Sequence, residues 1–122
     1  RNEAVGITGT VYIPLDNKFQ IEDAIKETLN LINDDKNPLE KAFIAALMIP
    51  YIQPYSDGNK RTSRMLVNAI LLAGDNYPLS YRSVDADEYK KALILFYEQG
   101  SLFHFKRIFL EQVNFAYKNY FQ

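Results

Sequence analysis

Between Gln53 and Arg64 the chain runs Gln-Pro-Tyr-Ser-Asp-Gly-Asn-Lys-Arg-Thr-Ser-Arg, which places an acid, a Gly-Asn turn and three cations within a dozen positions. Largely apolar runs flank it, Ala42 to Ile49 before and Met65 to Ala73 after. These types at this spacing suit an anion. The first turn of a helix leaves backbone N–H groups without intrahelical partners and carries the positive end of the macrodipole. A helix beginning near Lys60 therefore offers phosphate a ready seat. Gly58 permits close approach or a left-handed backbone, and Asn59 tolerates similar geometry. Lys60, Arg61 and Arg64 add full charges; Arg61 and Arg64, three apart on one helical face, can both reach one polyphosphate. Asp57 is a candidate ligand for Mg²⁺, which is held by one or two carboxylates plus substrate phosphates. The competing reading pairs Asp57 with its neighbours on a capped, solvated helix start.

The elements that must hold this stretch read as helices. Ile21, Ala24, Ile25, Thr28, Leu29 and Ile32 fall at helical spacing and end near Asn33-Asp34-Asp35. Asn37-Pro38-Leu39-Glu40 then supplies a cap, a proline at the first position and the acid of a capping box. From Leu39 to about Ile52 the helix is apolar on nearly every side, so it belongs in the middle of a domain. Pro50 is expected to kink or end it. Met65 to Ala73 reads as a second heavily buried helix, stopped by Gly74-Asp75-Asn76. Residues Pro78 to Val84 read as loop, and Asp85 with Glu88 opens a helix carrying Tyr89, Ala92, Leu93 and Phe96 inward. Gly100 breaks it, and Ser101 caps a last helix with Leu102, Phe105, Ile108, Phe109, Val113 and Ala116 on its inner face. Upstream of all these, Val5 to Leu15 holds two short β-like runs about Thr8-Gly9-Thr10, which predict a hairpin ending at Pro14.

Composition narrows the classes. The 122 residues make a single domain, 1–122, with 48 % apolar and 24 % charged residues, as in soluble globular chains. A net charge of −1 excludes a general nucleic-acid binder, which carries an excess of Lys and Arg. With no Cys there is no disulfide framework, thiol nucleophile or thiolate metal site, which fits a cytoplasmic location. No apolar run approaches the ~20 residues needed to span a bilayer, so no membrane partner is expected. The start on Arg1-Asn2-Glu3, without Met, reads as a piece of a longer chain.

The motif stretch resembles the signature of the Fic/Doc family, His-Pro-Phe-x-Asp/Glu-Gly-Asn-Gly/Lys-Arg-x-x-Arg. Pro54, Tyr55 for the Phe, Asp57, Gly58, Asn59, Lys60, Arg61 and Arg64 stand in register. The upstream Ile-x-Gly-x-x-Tyr-Ile-Pro run and the order of the helices are similar too, so the resemblance covers nearly the whole chain. It implies a mainly α Fic-fold bundle with a small N-terminal β-hairpin flap. It also implies ATP and Mg²⁺ as cofactors and transfer of AMP, or a related group, to hydroxyls of a target protein. By the same resemblance Asp57 holds the metal, and Gly58, Asn59 and Lys60 cradle phosphates. Arg61 and Arg64 orient the polyphosphate, and Thr10, Val11, Tyr12 and Ile13 form the flap on which the target docks. Tyr55 packs to anchor the loop.

The departure is at the first position, where the family's general base is His and this chain has Gln53. An amide has no basic lone pair near neutral pH, and losing a general base lowers a rate roughly 10²- to 10⁴-fold. The sole histidine, His104, lies between Phe103 and Phe105, far along the chain, and reads as a packing or surface residue. The family's inhibitory Ser/Thr-x-x-x-Glu-Gly/Asn segment does not occur in these residues. Two functions follow: a nucleotide-binding transferase with weak or altered activity, or a non-catalytic nucleotide- or protein-binding module on the same scaffold.

Overall fold

The computed structural model describes residues 1, 4–7, 9–81 and 85–120, the last by its backbone alone. Five helices follow in order: α1 (Lys18–Asp34), α2 (Pro38–Ile52), α3 (Asn59–Ala73), α4 (Ala86–Gln99) and α5 (Phe103–Tyr120). None is long and apolar enough to cross a membrane.

Local chemistry sets their ends. Asn17 caps α1 by accepting from the Phe19 and Gln20 N–H groups at 2.9 and 3.2 Å, so the helix starts three residues before Ile21. Asn37 caps α2 with Pro38 in the first turn. Its own N–H goes to Asp35 Oδ1 at 2.8 Å, so Asp35 takes the part expected of Glu40 in a capping box. That bond holds the Asp35 carboxyl below its usual range, while Glu40, sharing a hydrogen bond with Asp35, is pushed up. Asp85 caps α4, and Gly100 ends it in the left-handed region at φ 68°. The Leu102 carbonyl accepts the first α5 bond, from Lys106, so the cap falls one residue beyond Ser101.

α2 is the central element. It packs against α1 on one side and, most extensively, against α3. Ala42, Ala45 and Ala46 let helices approach closely, and α3 answers with Val67 and Leu71, both fully buried. Phe43 carries the contact to α5 through Phe105 and Phe109, with ring centroids at 5.5 and 5.4 Å. Pro50 does not end α2, which runs on to Ile52. α3 is less buried than its composition suggests. Asn59, Ser63, Val67 and Leu71 form one inward stripe, while Met65 and Leu72 face solvent. Leu102 and Leu29, expected inside, are also exposed.

The expected β-hairpin flap is not formed: no strand occurs among the described residues, and residues 4–7 and 9–17 are irregular. Side-chain anchoring replaces strand pairing here. The Tyr12 N–H bonds Thr10 Oγ1 at 3.1 Å, and that hydroxyl donates to Glu98 of α4 at 3.0 Å. The Tyr12 ring stacks on Tyr51 of α2 at 4.7 Å, and its hydroxyl donates to the Tyr51 carbonyl at 2.9 Å. These contacts fasten the segment onto the bundle and override the β propensity of its neighbours. Thr8 of the expected turn, Asn2 and Glu3, and 82–84 of the expected loop lie outside the described residues.

Candidate functional site

The turn from α2 into α3 is built by two amides. Gln53 closes α2 in the left-handed region, φ 52° and ψ 59°, with its N–H on the Ile49 carbonyl at 2.9 Å. The Arg1 guanidinium donates to the Gln53 carbonyl and to Ile52 O at 3.2 Å, placing a cation where the last carbonyls of α2 concentrate negative charge. Gln53 Nε2 donates to the Pro50 carbonyl at 2.8 Å, while Oε1 accepts from Asn59 Nδ2 at 2.9 Å. Asn59 is 6 % exposed, and it also accepts from the Tyr55 N–H at 2.9 Å and donates to the Tyr55 carbonyl at 2.7 Å. Asn59 therefore holds the loop closed around Tyr55, with both atoms of its amide engaged. Tyr55 is 54 % exposed. The loop is anchored through that residue's backbone and not, as expected, through its ring.

Beyond Tyr55 the loop opens into a helix start without a side-chain cap. Gly58 sits at the cap position with φ 79°, and Thr62 N–H makes the first helical bond to its carbonyl at 2.9 Å. The preceding N–H groups of Asn59, Lys60 and Arg61 are those a helix leaves without intrahelical partners. A β-carbon on Gly58 would stand 3.1 Å from Arg61 Nη2, so glycine serves both the backbone conformation and the return of that guanidinium. This helix start borders a cavity of about 710 Å³ whose walls include Gln53, Asp57, Gly58, Lys60, Arg61 and Arg64.

Charge in this cavity is one-sided. Asp57 is exposed, and its Oδ1 accepts from the Gly58 N–H at 2.8 Å. Among the described residues the ion pair is Arg107–Glu111 at 2.9 Å on α5, and neither Lys60, Arg61 nor Arg64 pairs with a carboxylate. Arg64 lies against the Tyr81 ring, with Cζ 4.4 Å from the centroid, and its Nε is buried without a hydrogen-bond partner among the described residues. Burial pushes the Tyr81 phenol well above its ordinary range, with Arg64 drawing it partly back. No group of three His, Asp or Glu side chains gathers to hold a metal among the described residues, and Asp57 is the one carboxylate among the described residues that line the cavity.

The structure thus brings Gln53, Asp57, Gly58, Asn59, Lys60, Arg61 and Arg64 around one cavity, with Asn59 turned into the loop's own hydrogen bonds. Thr10 to Ile13 do not line it: Tyr12 is packed among Tyr51 and Tyr97, while Val11 and Ile13 are exposed. His104 is exposed on α5, edge-on to Phe103 at 5.3 Å, and is not part of the cavity wall. Sequence reasoning missed Asn68 and Tyr81. Asn68 lies one turn beyond Arg64 on the same helix face, a legible signal. Tyr81 carries none.

Such a helical domain, with an uncapped helix start and cations that pair with no carboxylate among the described residues on one cavity, is of the kind that suits phosphate-bearing ligands. The chain belongs to the Fic/DOC family, whose family model matches residues 1–71, more than half of it. It is 39 % identical over 57 residues to a protein adenylyltransferase Fic of Nematostella vectensis, covering 47 % of this chain and 13 % of that protein. A protein adenylyltransferase of Caenorhabditis elegans is 31 % identical over 65 residues, 50 % of this chain and 13 % of the relative. A Fido domain-containing protein of Dictyostelium discoideum is 40 % identical over 74 residues, 57 % of this chain and 51 % of the relative. The chain therefore spans about an eighth of the length of the first two relatives and about half of the third.

Proposed function

We propose that this protein binds ATP with its phosphates at the start of α3 and transfers AMP to protein hydroxyls weakly, because Gln53 stands where the family has its base. One observation carries the binding half. Lys60, Arg61 and Arg64, without carboxylate partners among the described residues, surround an uncapped helix start on a cavity of about 710 Å³. Backbone N–H groups and guanidinium forks both favour phosphate oxygens. Asp57 is exposed and spends one oxygen on the Gly58 N–H, which fits Mg²⁺ when the nucleotide's phosphates and water complete its shell. When bound, that ion would neutralise polyphosphate charge.

The names of two relatives, both protein adenylyltransferases, support the reaction class. In that reaction a hydroxyl oxygen bonds the α-phosphorus, the bond to the bridging oxygen of the β-phosphate breaks, and pyrophosphate leaves. The hydroxyl proton needs an acceptor. Gln53 offers none, since its Oε1 accepts from Asn59 and an amide is not basic. The proton then passes to water, slower by roughly 10²- to 10⁴-fold than with a placed base. The target protein meets the irregular segment Thr10 to Ile13, where exposed Val11 and Ile13 flank the anchored Tyr12.

Calorimetry with ATP and Mg²⁺ tests the binding half. Wild type binds, and Arg64→Ala weakens binding at least tenfold; wild type that takes up no nucleotide refutes the cradle. Labelling with α-phosphate-labelled ATP tests the transfer half, where Gln53→His raises incorporation over wild type. The second reading, a nucleotide-holding module without transfer, is favoured by the two hydrogen bonds that make Gln53 a tie between α2 and α3. Absence of labelling by either form, with binding intact, selects it.

A further inference from the structure

Arg64 is held by a construction that the motif does not include. One turn beyond it on α3, the Asn68 side chain grips the backbone of Leu79, donating to its carbonyl at 3.1 Å and accepting from its N–H at 2.8 Å. The Leu79 side chain is buried in the core, so the connection leading from α3 to α4 is pinned at this residue. Two residues later Tyr81 turns into the left-handed region at φ 62°. A residue with a β-carbon is strained there, and such strain persists only where the surroundings enforce it. The turn lays the Tyr81 ring, packed against the core, 4.4 Å from Arg64 Cζ. The ring covers one face of the guanidinium, and Nε is buried without a partner among the described residues while the residue lines the cavity.

We propose that Tyr81 is a positioning residue that fixes the Arg64 guanidinium at the cavity and so makes the site prefer ligands with several phosphates over a single phosphate. This rests on reading the cavity as a phosphate site. The two guanidinium groups occupy separate places. Arg61 returns to Gly58 at the helix start, and Arg64 lies against Tyr81. A single phosphate on the free N–H groups is served by the helix start and Arg61. Only a longer ligand gains from Arg64 as well. A free arginine loses much side-chain freedom on binding an anion, whereas one already clamped loses little.

The test is calorimetry of wild type, Tyr81→Phe, Tyr81→Gly and Tyr81→Asn with inorganic triphosphate and with inorganic phosphate, alongside thermal melts. Glycine and asparagine suit φ 62° without a ring, so they remove the clamp while sparing the backbone. Tyr81→Phe should stay within about twofold of wild type for both ligands, as the ring face is kept. The ring-free variants should bind triphosphate roughly 2- to 12-fold more weakly, the range for having to order one freed side chain on binding, with phosphate affinity unchanged. Equal weakening for both ligands, or unchanged triphosphate binding in a folded ring-free variant, overturns the inference alone. Wild type that binds no triphosphate overturns the phosphate-site reading, and this inference falls with it.

Discussion

Replacing Asn59 by alanine separates two roles for a residue at the mouth of the cavity. If Asn59 chiefly contacts ligand, its loss lowers nucleotide affinity and leaves the fold alone. The geometry argues for the other outcome. Three hydrogen bonds disappear, from the Tyr55 N–H, to the Tyr55 carbonyl and to Gln53 Oε1. At about 0.5–1.5 kcal/mol each they sum to roughly 1.5–4.5 kcal/mol. All three bonds are only part-buried, so water compensates in part and the lower half of that range applies. The better helix propensity of alanine returns about 0.5 kcal/mol, leaving a net loss of about 1–2.5 kcal/mol. For a domain of 122 residues that is a fall in melting temperature of about 4–10 °C. Thermal unfolding followed by circular dichroism measures it. Asn59→Asp sharpens the comparison: a carboxylate still accepts from the Tyr55 N–H but meets the Gln53 and Tyr55 oxygens without a proton to donate. It should melt below wild type as well. Melting of Asn59→Ala within about 1 °C of wild type, together with lost nucleotide binding, would refute the loop-holding role.

Two further perturbations probe the frame around the site. Gly74 closes α3 with an ordinary φ of −95°, but a β-carbon there would collide with the Pro38 ring at the start of α2. Gly74→Ala should cost about 1–3 kcal/mol by overpacking, seen as a lower urea midpoint with an unchanged slope; an unchanged midpoint shows that the α2–α3 ends are not in rigid contact. High pH addresses the buried tyrosines. Burial raises the phenol pKa values of Tyr12, Tyr81, Tyr89 and Tyr97 above the ordinary 10.0. Their contribution to stability is complete below that ordinary value and is lost as pH rises through the folded values, because the unfolded chain gives up these protons first. Stability should therefore fall above pH ~10, with part of the phenolate absorbance appearing only as the helical signal collapses; smooth titration of all nine tyrosines in the folded state contradicts this.

Helices were legible because their signals are local. Asn37, Asp85 and Gly100 mark ends where the structure has them, and the apolar character of α2 announces its central place. Two misreadings share one cause, that composition does not say where a side chain goes. The alternation around Tyr12 has β character, yet the ring finds a better place on Tyr51 and Tyr97 than a hairpin would give it. Met65 and Leu72 raise the apolar count of α3 but fall on its outer face. In the site, residue identities pointed to the cavity, while the division of labour among them was not visible. Asn59 tolerates a phosphate loop and can equally organise it. Tyr81 reaches Arg64 through a backbone conformation that no sequence signal marks, since tyrosine seldom adopts it.

That division of labour bears on what Gln53 replaces. Its side chain gives one proton, to the Pro50 carbonyl, and receives one, from Asn59. A neutral imidazole also has one donor and one acceptor. A histidine at position 53 can therefore preserve both contacts only by engaging both ring nitrogens, which leaves no lone pair for an incoming hydroxyl. To act as a base it must release the Asn59 amide, and the tie between α2 and α3 weakens by one hydrogen bond, about 1 kcal/mol. If the proposed transfer is right, activity and loop stability are opposed at this position. In Gln53→His a gain in labelling should come with a lower melting temperature, whereas a variant that melts like wild type should transfer no faster. On the proposed reading glutamine resolves the conflict in favour of the loop, and the cavity wall of Gly58, Lys60, Arg61 and Arg64 is left intact because the Gln53 side chain bonds Pro50 and Asn59 and none of these cations.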